Sequence, residues 1–218
     1  GIDTLFGYPG GAVIPFFDAL YDELDYFKVY RPAHEQNGVH AADGYARSTG
    51  KLGVFIATSG PGATNTITGI ANAYMDSVPL LVICGQVANA LIGKDSFQEV
   101  DITGMTLSVT KHSYMVRKTE DLEDAIREAV EVAMEGRPGP VLVDVPKDVL
   151  MQACEYKGSS EVRNVEKIVP DEDKLNMAAK LINNAQRPVI YAGGGVRISK
   201  NDSMLVEFAE KTGIPVCN

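Results

Sequence analysis

The sequence predicts an α/β protein: a parallel sheet with helices on both faces, followed by the start of a second α/β domain. Three observations predict this. Short apolar runs alternate with helical patterns along the chain. Several runs are continuously apolar rather than alternating, as in strands buried on both faces. A glycine-rich stretch, "SGPGATN", follows one such run and opens a helical pattern.

Taken in order, the first strand is expected at 2–6 (IDTLF), with its turn in "GYPGG". A chain that begins on a core strand reads as an excerpt, so any targeting segment upstream is out of view. A helix follows near 14–24 and a strand at 26–30 (YFKVY). Next come a helix at 35–49, a strand at 52–58 (LGVFIAT), a helix at 63–76 and a strand at 79–84 (PLLVIC). Strands are expected at 113–117 and 140–145 (PVLVDV). Between them a helix at 120–135 carries the apolar stripe Leu122, Ile126, Ala129, Val130 and Ala133, with Thr119 as its N-cap and acidic residues in its first turn. Residues 1–150 therefore form one domain.

The stretch 151–170 is polar, contains Gly-Ser-Ser and ends in Pro, and is read as a linker. Beyond it come a helix (171–184), a strand (188–192), a glycine triplet, a helix (202–212) and a last strand. These begin a second domain over 171–218. A piece of about 50 residues is too small to bury a core of its own, so the natural chain is expected to continue.

The chain has 218 residues, 45% hydrophobic content and a net charge of −9. No basic stripe offers itself to a nucleic-acid backbone, so no nucleic-acid partner is expected. No run of about 18 apolar residues suggests a membrane partner. Cys84, Cys154 and Cys217 lack metal or redox spacing and read as buried free thiols of a reducing compartment. His34, His40 and His112 show no metal spacing, and no metal site is read in this chain. The methionines are scattered and are read as core filling.

In "SGPGATN" (59–65), Gly60 and Gly62 fit a dinucleotide-binding turn, but Asn65 stands at the third glycine position and Gln86 where the acidic residue belongs. "YAGGGVRIS" fails at Ile198, and "IGKDS" lacks the earlier glycine of a phosphate loop because Ala88 holds its place. An ordinary NAD or ATP site is unsupported. The stretch "RPAHEQNGVHAADGYARSTG" places Glu35 after a strand, at the mouth of a helix, where α/β folds hold ligands. The same position also suits a solvated carboxylate favoured by a helix dipole. Gly38, Ala41, Ala42, Gly44 and Ala46 permit close packing, as do Ala63, Gly69, Ala71 and Ala73 on the next helix. Packing on the sheet and packing between subunits both fit these residues.

"FGYPGGAVIPFFDAL", "HEQNGVHAADGYARSTG", "TSGPGATNTITGIANAYMDSVPLLVICGQV", "IGKDSFQEVDITG", "VTKH" and "GRPGPVLVDVPKDV" resemble, in order, the N-terminal part of the acetohydroxyacid (acetolactate) synthase large subunits, thiamine-diphosphate enzymes of branched-chain amino-acid synthesis. The resemblance covers essentially the whole chain. It implies a pyrimidine-binding domain over 1–150 and the start of a flavin-carrying central domain after about residue 170.

By this resemblance Glu35 is the catalytic glutamate. It hydrogen-bonds the cofactor's pyrimidine N1′ and favours the imino form that removes the thiazolium C2 proton, for which it must be dry and able to exchange a proton. Tyr8, Pro9, Gly10 and Gly11 match a loop beside the thiazolium, and Pro61 and Asn65 line the pyrimidine pocket. Phe97 and Gln98 match residues near the reacting carbon. Gly193, Gly194 and Gly195 match a loop that approaches FAD.

Mg²⁺ is expected on a domain this chain does not contain, so the chain alone is expected to be inactive. Pyruvate and 2-ketobutyrate are the implied substrates. A homodimer or higher assembly through the pyrimidine domain, a small regulatory subunit and a bacterial-type cytoplasmic location are implied as well. Pro32-Ala33, Lys94 and Ser96 depart from the family pattern and touch the substrate pocket rather than the reaction. Another thiamine-dependent carboligase or decarboxylase, or a catalytically silent nucleotide-binding module, are the alternative readings.

Overall fold

In the computed structural model, which describes residues 1–158 and 169–218, the chain divides into two units, Gly1–Val165 and Glu166–Asn218. The first runs β1 (Thr4–Gly7), α1 (Ile14–Tyr21), β2 (Lys28–Tyr30), α2 (Glu35–Thr49), β3 (Gly53–Ala57), α3 (Pro61–Thr64), α4 (Ile67–Met75), β4 (Leu80–Gln86), α5 (Ile102–Thr106), β5 (His112–Met115), α6 (Leu122–Met134), β6 (Pro140–Pro146) and α7 (Lys147–Met151). Single 3₁₀ turns occupy Asn89–Leu91 and Thr119–Asp121. The second unit contains α8 (Glu172–Asn184), β7 (Ile190–Tyr191), α9 (Gly194–Ile198), α10 (Asp202–Thr212) and β8 (Val216–Cys217).

The six strands of the first unit form one sheet in the order β2-β1-β3-β4-β6-β5, and every pairing is parallel. Its continuous apolar strands are buried on both faces. On one face Val54, Ile56, Leu81, Val141 and Val143 pack with Val13 and Leu20 around α1, with Ala129 and Ala133 of α6, and with Val149 of α7. On the other, Phe55, Leu80, Val82 and Leu142 pack with Val39, Ala42 and Ala46 of α2, Ile70 and Ala73 of α4, and Ile102 of α5. The strand order reverses between β1 and β3, since the chain leaves β1 towards β2 and leaves β3 towards β4. Loops after two such strands diverge and open a crevice at their carboxyl ends.

The small residues of α2 and α4 are used mainly within the chain. A Cβ on Gly38 would lie 2.2 Å from the Phe55 ring, and one on Gly69 would lie 2.5 Å from Val39 Cγ1. A Cβ on Gly53 would lie 2.3 Å from the backbone oxygen of Ala42. These contacts seat α2 closely on β3 and against α4. Across the helix pair, Asp43 accepts from Asn72 Nδ2 (3.0 Å) and from Arg47 Nε (3.0 Å), while Arg47 also reaches Asp76 (2.8 Å). Ala41 and Gly44 remain exposed.

Several expectations need correction. The helix expected over 63–76 is two helices. The Thr66 hydroxyl donates to the Ala63 carbonyl (2.6 Å) and Thr66 N–H bonds the same oxygen (3.0 Å), so the chain turns there instead of continuing the α ladder. Thr119 does not cap α6. Its hydroxyl donates to Val149 O (2.9 Å), and the helix is entered through the 3₁₀ turn. All three cysteines are free, but only Cys84 is buried, while Cys154 and Cys217 are exposed. Met75, Met105, Met134, Met151, Met177 and Met204 are exposed rather than core filling, at helix ends or on helix faces that no layer of their own unit covers.

In the second unit β7 and β8 pair in parallel, and α8 is capped by Asp171, whose carboxylate accepts from Lys174 N–H (3.0 Å). None of its described residues is buried. Of the linker expected over 151–170, Met151 ends α7, residues 152–158 and 169–170 belong to no helix or strand, and 159–168 lie outside the described residues. Among the described residues no helix is long and apolar enough to cross a membrane.

The seating of α2 yields a first prediction. Gly53→Ala puts a methyl group against immovable backbone, so it should destabilise the first unit by roughly 1–3 kcal/mol. The melting temperature should fall by roughly 2–8 °C in a thermal scan.

Candidate active site

The carboxyl ends of β1 and β3 bring together Glu35, Asn65 and the loops that carry Tyr8–Gly11 and Gln98. Glu35 is the first residue of α2, and the sequence determines why it sits there. His34 adopts an extended backbone and caps the helix, its Nδ1 accepting from Gln36 N–H at 3.2 Å. Pro32 and Gly38 pack together below. Glu35 is buried, at 9% exposure, so the solvated alternative for this carboxylate is set aside.

Asn65, at the end of α3, donates from Nδ2 to Glu35 Oε2 at 2.9 Å. Among the described residues this is the carboxylate's one hydrogen bond, and the second oxygen, Oε1, faces Gly62. A Cβ on Gly62 would come within 3.3 Å of Oε1 and 2.7 Å of Thr58 Cγ2. The missing side chain leaves a thin wall beside an oxygen that retains its capacity to accept.

Thr58 links this wall to the loop after β1. Its Oγ1 accepts from Ala12 N–H (3.2 Å), and a Cβ on Gly10 would lie 2.5 Å from Thr58 Cβ. Tyr8 N–H bonds Ile56 O (2.9 Å), continuing the β1–β3 register into the loop. Tyr8 and Gly10 are half-buried, while Pro9 and Gly11 face solvent.

The loop between β4 and α5 completes the ring. Gly60 has φ +59°, and a Cβ there would lie 2.8 Å from both the Cα and the carbonyl oxygen of Gln98. Gln98 is itself left-handed, with φ +59°, a conformation that costs a non-glycine residue about 1 kcal/mol or more. Phe97 beside it is 87% exposed. Glu99 holds this loop shut. It accepts from the backbone N–H groups of Gly93, Lys94 (3.3 Å) and Ser96 (3.0 Å) and from the Ser96 hydroxyl (3.2 Å). The N–H bond from Gly93, followed by that from Ser96, holds its carboxyl below the usual glutamate range.

The sequence reading missed this role of Glu99. Its signal was a Gly-Lys-Asp-Ser turn followed three residues later by an acid. Gly193 precedes α9, with Gly194 and Gly195 as its first residues; they lie in the second unit, and a Cβ on any of the three would meet nothing within 4 Å. Among the described residues no three metal-ligating side chains come together.

Comparison with known proteins matches residues 1–105 to the family described as "Thiamine pyrophosphate enzyme, N-terminal TPP binding domain" and residues 175–218 to "Thiamine pyrophosphate enzyme, central domain". The chain belongs to the thiamine pyrophosphate enzymes. It is 47% identical over 225 residues to a protein of Arthrospira platensis named acetolactate synthase, covering 99% of this chain and 38% of the relative. It is 47% identical over 223 residues to an acetolactate synthase large subunit of Pyropia yezoensis, covering 99% of this chain and 38% of that one. It is 48% identical over 219 residues to acetolactate synthase large subunit IlvB1 of Mycobacterium tuberculosis, covering 99% and 35%. The chain thus spans well under half the length of these relatives.

The residues fit what a thiamine pyrophosphate enzyme requires of this domain. A buried carboxylate keeps one oxygen free, and the wall beside it is a glycine that any side chain would thicken.

The Glu99 contacts generate a second prediction. Glu99→Ala should speed amide hydrogen exchange at Gly93, Lys94 and Ser96 by about tenfold or more and leave Val54–Ile56 unchanged. Because the folded state lowers the Glu99 pKa, the closure is complete at neutral pH. It should be lost as pH falls through the folded value.

Proposed function

We propose that this chain is the pyrimidine-binding domain and the start of the central domain of an acetolactate synthase large subunit. The whole enzyme decarboxylates pyruvate and joins the remaining two-carbon unit to a second 2-ketoacid, pyruvate or 2-ketobutyrate. The products are 2-acetolactate or 2-aceto-2-hydroxybutyrate, in valine, leucine and isoleucine biosynthesis. The observation that carries this reading is the buried Glu35–Asn65 pair beside the Gly62 wall, in a chain whose relatives bear that name.

Thiamine diphosphate, when bound, supplies the nucleophilic carbon and the electron sink that the decarboxylation needs. The chain supplies proton management and position. Glu35 holds and exchanges a proton at the pyrimidine nitrogen through its free oxygen. Asn65 fixes the carboxylate plane, so that this oxygen is aimed rather than rotating. Pro61 and the 8–11 loop, Tyr8 to Gly11, form the walls, and burial keeps water from competing for the proton. Phe97 and Gln98, held over Gly60, face the ketoacid. Mg²⁺ and the diphosphate belong to the length of the relatives that lies beyond this chain.

Gly193, Gly194 and Gly195, three residues without side chains and with nothing within 4 Å of where a Cβ would stand, would be the loop that meets FAD. Its role is structural, since the net reaction involves no redox step. A second copy of the chain covers the exposed Ala41 and Gly44 and the nearby helix end at Tyr74 and Met75. A small regulatory subunit and a cytoplasmic location complete the reading, the latter in keeping with three free thiols.

In the full-length enzyme, Glu35→Gln should slow exchange of the cofactor C2 proton by roughly 10²–10⁴-fold, with folding intact. Deuterium exchange followed by NMR after acid quench measures it. A wild-type rate in the variant removes Glu35 from the proposed role, and no exchange in the unsubstituted enzyme points to a silent binding module. Separately, Gly194→Val should weaken FAD binding by about tenfold or more, read by fluorescence titration of the full-length apoenzyme. Unchanged affinity takes the triplet out of the flavin site.

A further inference from the structure

Asp144 lies on β6 in the interior of the sheet and is fully buried. Its neighbours along the strand are Val143 and Val145, and across the sheet it pairs with Cys84 of β4 and Met115 of β5. A carboxyl group in such surroundings is costly unless something holds it. Its Oδ2 accepts from Gln86 Nε2 at 3.0 Å, while among the described residues Oδ1 has no hydrogen-bond partner.

Gln86 ends β4 and is itself buried, at 2% exposure. Its amide is fully committed. Nε2 also donates to Val100 O at 2.7 Å, and Oε1 accepts from Val87 N–H at 2.9 Å. One side chain thus ties both ends of the loop 87–100 to the sheet. That loop carries Phe97 and Gln98, and Gln98 rests on Gly60, two residues before the Gly62 wall beside Glu35.

We propose that Asp144 and Gln86 are positioning residues. Asp144 orients the Gln86 amide, and Gln86 fixes Val100, so that Phe97 and Gln98 are held at the distance from Glu35 that a 2-ketoacid requires. The inference rests on the reading of this site as a ketoacid-condensing one.

The titration of Asp144 gives the relay a second signature. Burial pushes its carboxyl up to about 7, against the Gln86 hydrogen bond, with Asp101 raising it further and Arg117 lowering it. Facing it from β4 is Cys84, whose thiol is raised by its own burial and by Asp144. Between the ordinary aspartate range and about 7 the folded protein therefore keeps Asp144 protonated. Above that it is ionised, and an ionised acceptor binds the Gln86 amide more strongly. The loop is held more firmly on the alkaline side.

The experiment uses the full-length enzyme with its cofactors. Gln86→Leu keeps the volume and removes all three bonds, of which the one to Val100 O tethers the far end of the loop. It should raise the ketoacid KM by about tenfold and speed amide exchange in 93–100 by a similar factor, the scale of one lost buried hydrogen bond. Cofactor C2 proton exchange should stay within about threefold of the unsubstituted rate, because Glu35 and Asn65 are untouched.

Asp144→Leu should behave likewise, and Asp144→Asn, which retains an acceptor for Gln86, should restore both readouts. In the unsubstituted enzyme KM should fall as pH rises through about 7, and in Asp144→Asn it should be flat. Unchanged KM and loop exchange in Gln86→Leu overturn the proposal. So does an equal loss of C2 exchange, which would mark a general collapse of the site. If Gln86→Leu does not fold, a pH dependence that survives in Asp144→Asn overturns it. Loop exchange reads the tether in the apoenzyme too, so a failure of the proposed reaction would be told apart from a failure of the relay.

Discussion

The position of the Glu35 carboxylate is set by how closely α2 lies on the sheet. Three contacts fix that distance: Gly38 under the Phe55 ring, Gly53 under the Ala42 carbonyl, and Gly69 under Val39. Each is a place where a methyl group would overlap existing atoms. If α2 rode about an ångström higher, Glu35 would leave Asn65, which is anchored through a different helix, and their 2.9 Å bond would be lost. The small residues are therefore the mechanical reference of the site. The Asp43–Asn72 bond adds a polar check on the same spacing from the far end of the helix pair.

Much of this was legible in the sequence, for a physical reason. A parallel sheet buried on both faces writes itself as continuous apolar runs, and its covering helices as stripes. The element order could therefore be read directly. Glu35, Gly60, Gly62 and Asn65 stood out because a carboxylate at a helix mouth and glycines at a strand end are local patterns.

What was not legible depended on partners distant in the chain. Asp144 looks like any polar interruption of a strand, and its bond to Gln86 exists only because β4 and β6 pair in one particular register. The break between α3 and α4 turned on which acceptor Thr66 would choose, and the exposed methionines on which faces other layers would cover. Close-packing residues could be recognised from composition, but not which of them faced the sheet. That assignment needed the helix rotation, which leaves Gly38 inside and Gly44 outside.

Two left-handed residues meet where the turn before α3, at Gly60, touches the loop 87–100, at Gln98, and that loop divides its labour. The backbone around them is heavily constrained by Glu99, Gln86 and the absent side chain of Gly60. Phe97, next to Gln98, is exposed, and its side chain takes part in none of those bonds. Its side chain is a free variable: it can be exchanged without disturbing what keeps the loop in place. A lineage exploring new substrates could change this position first and test new specificities with no debt to stability, while the machinery that handles the proton stays fixed a few residues away.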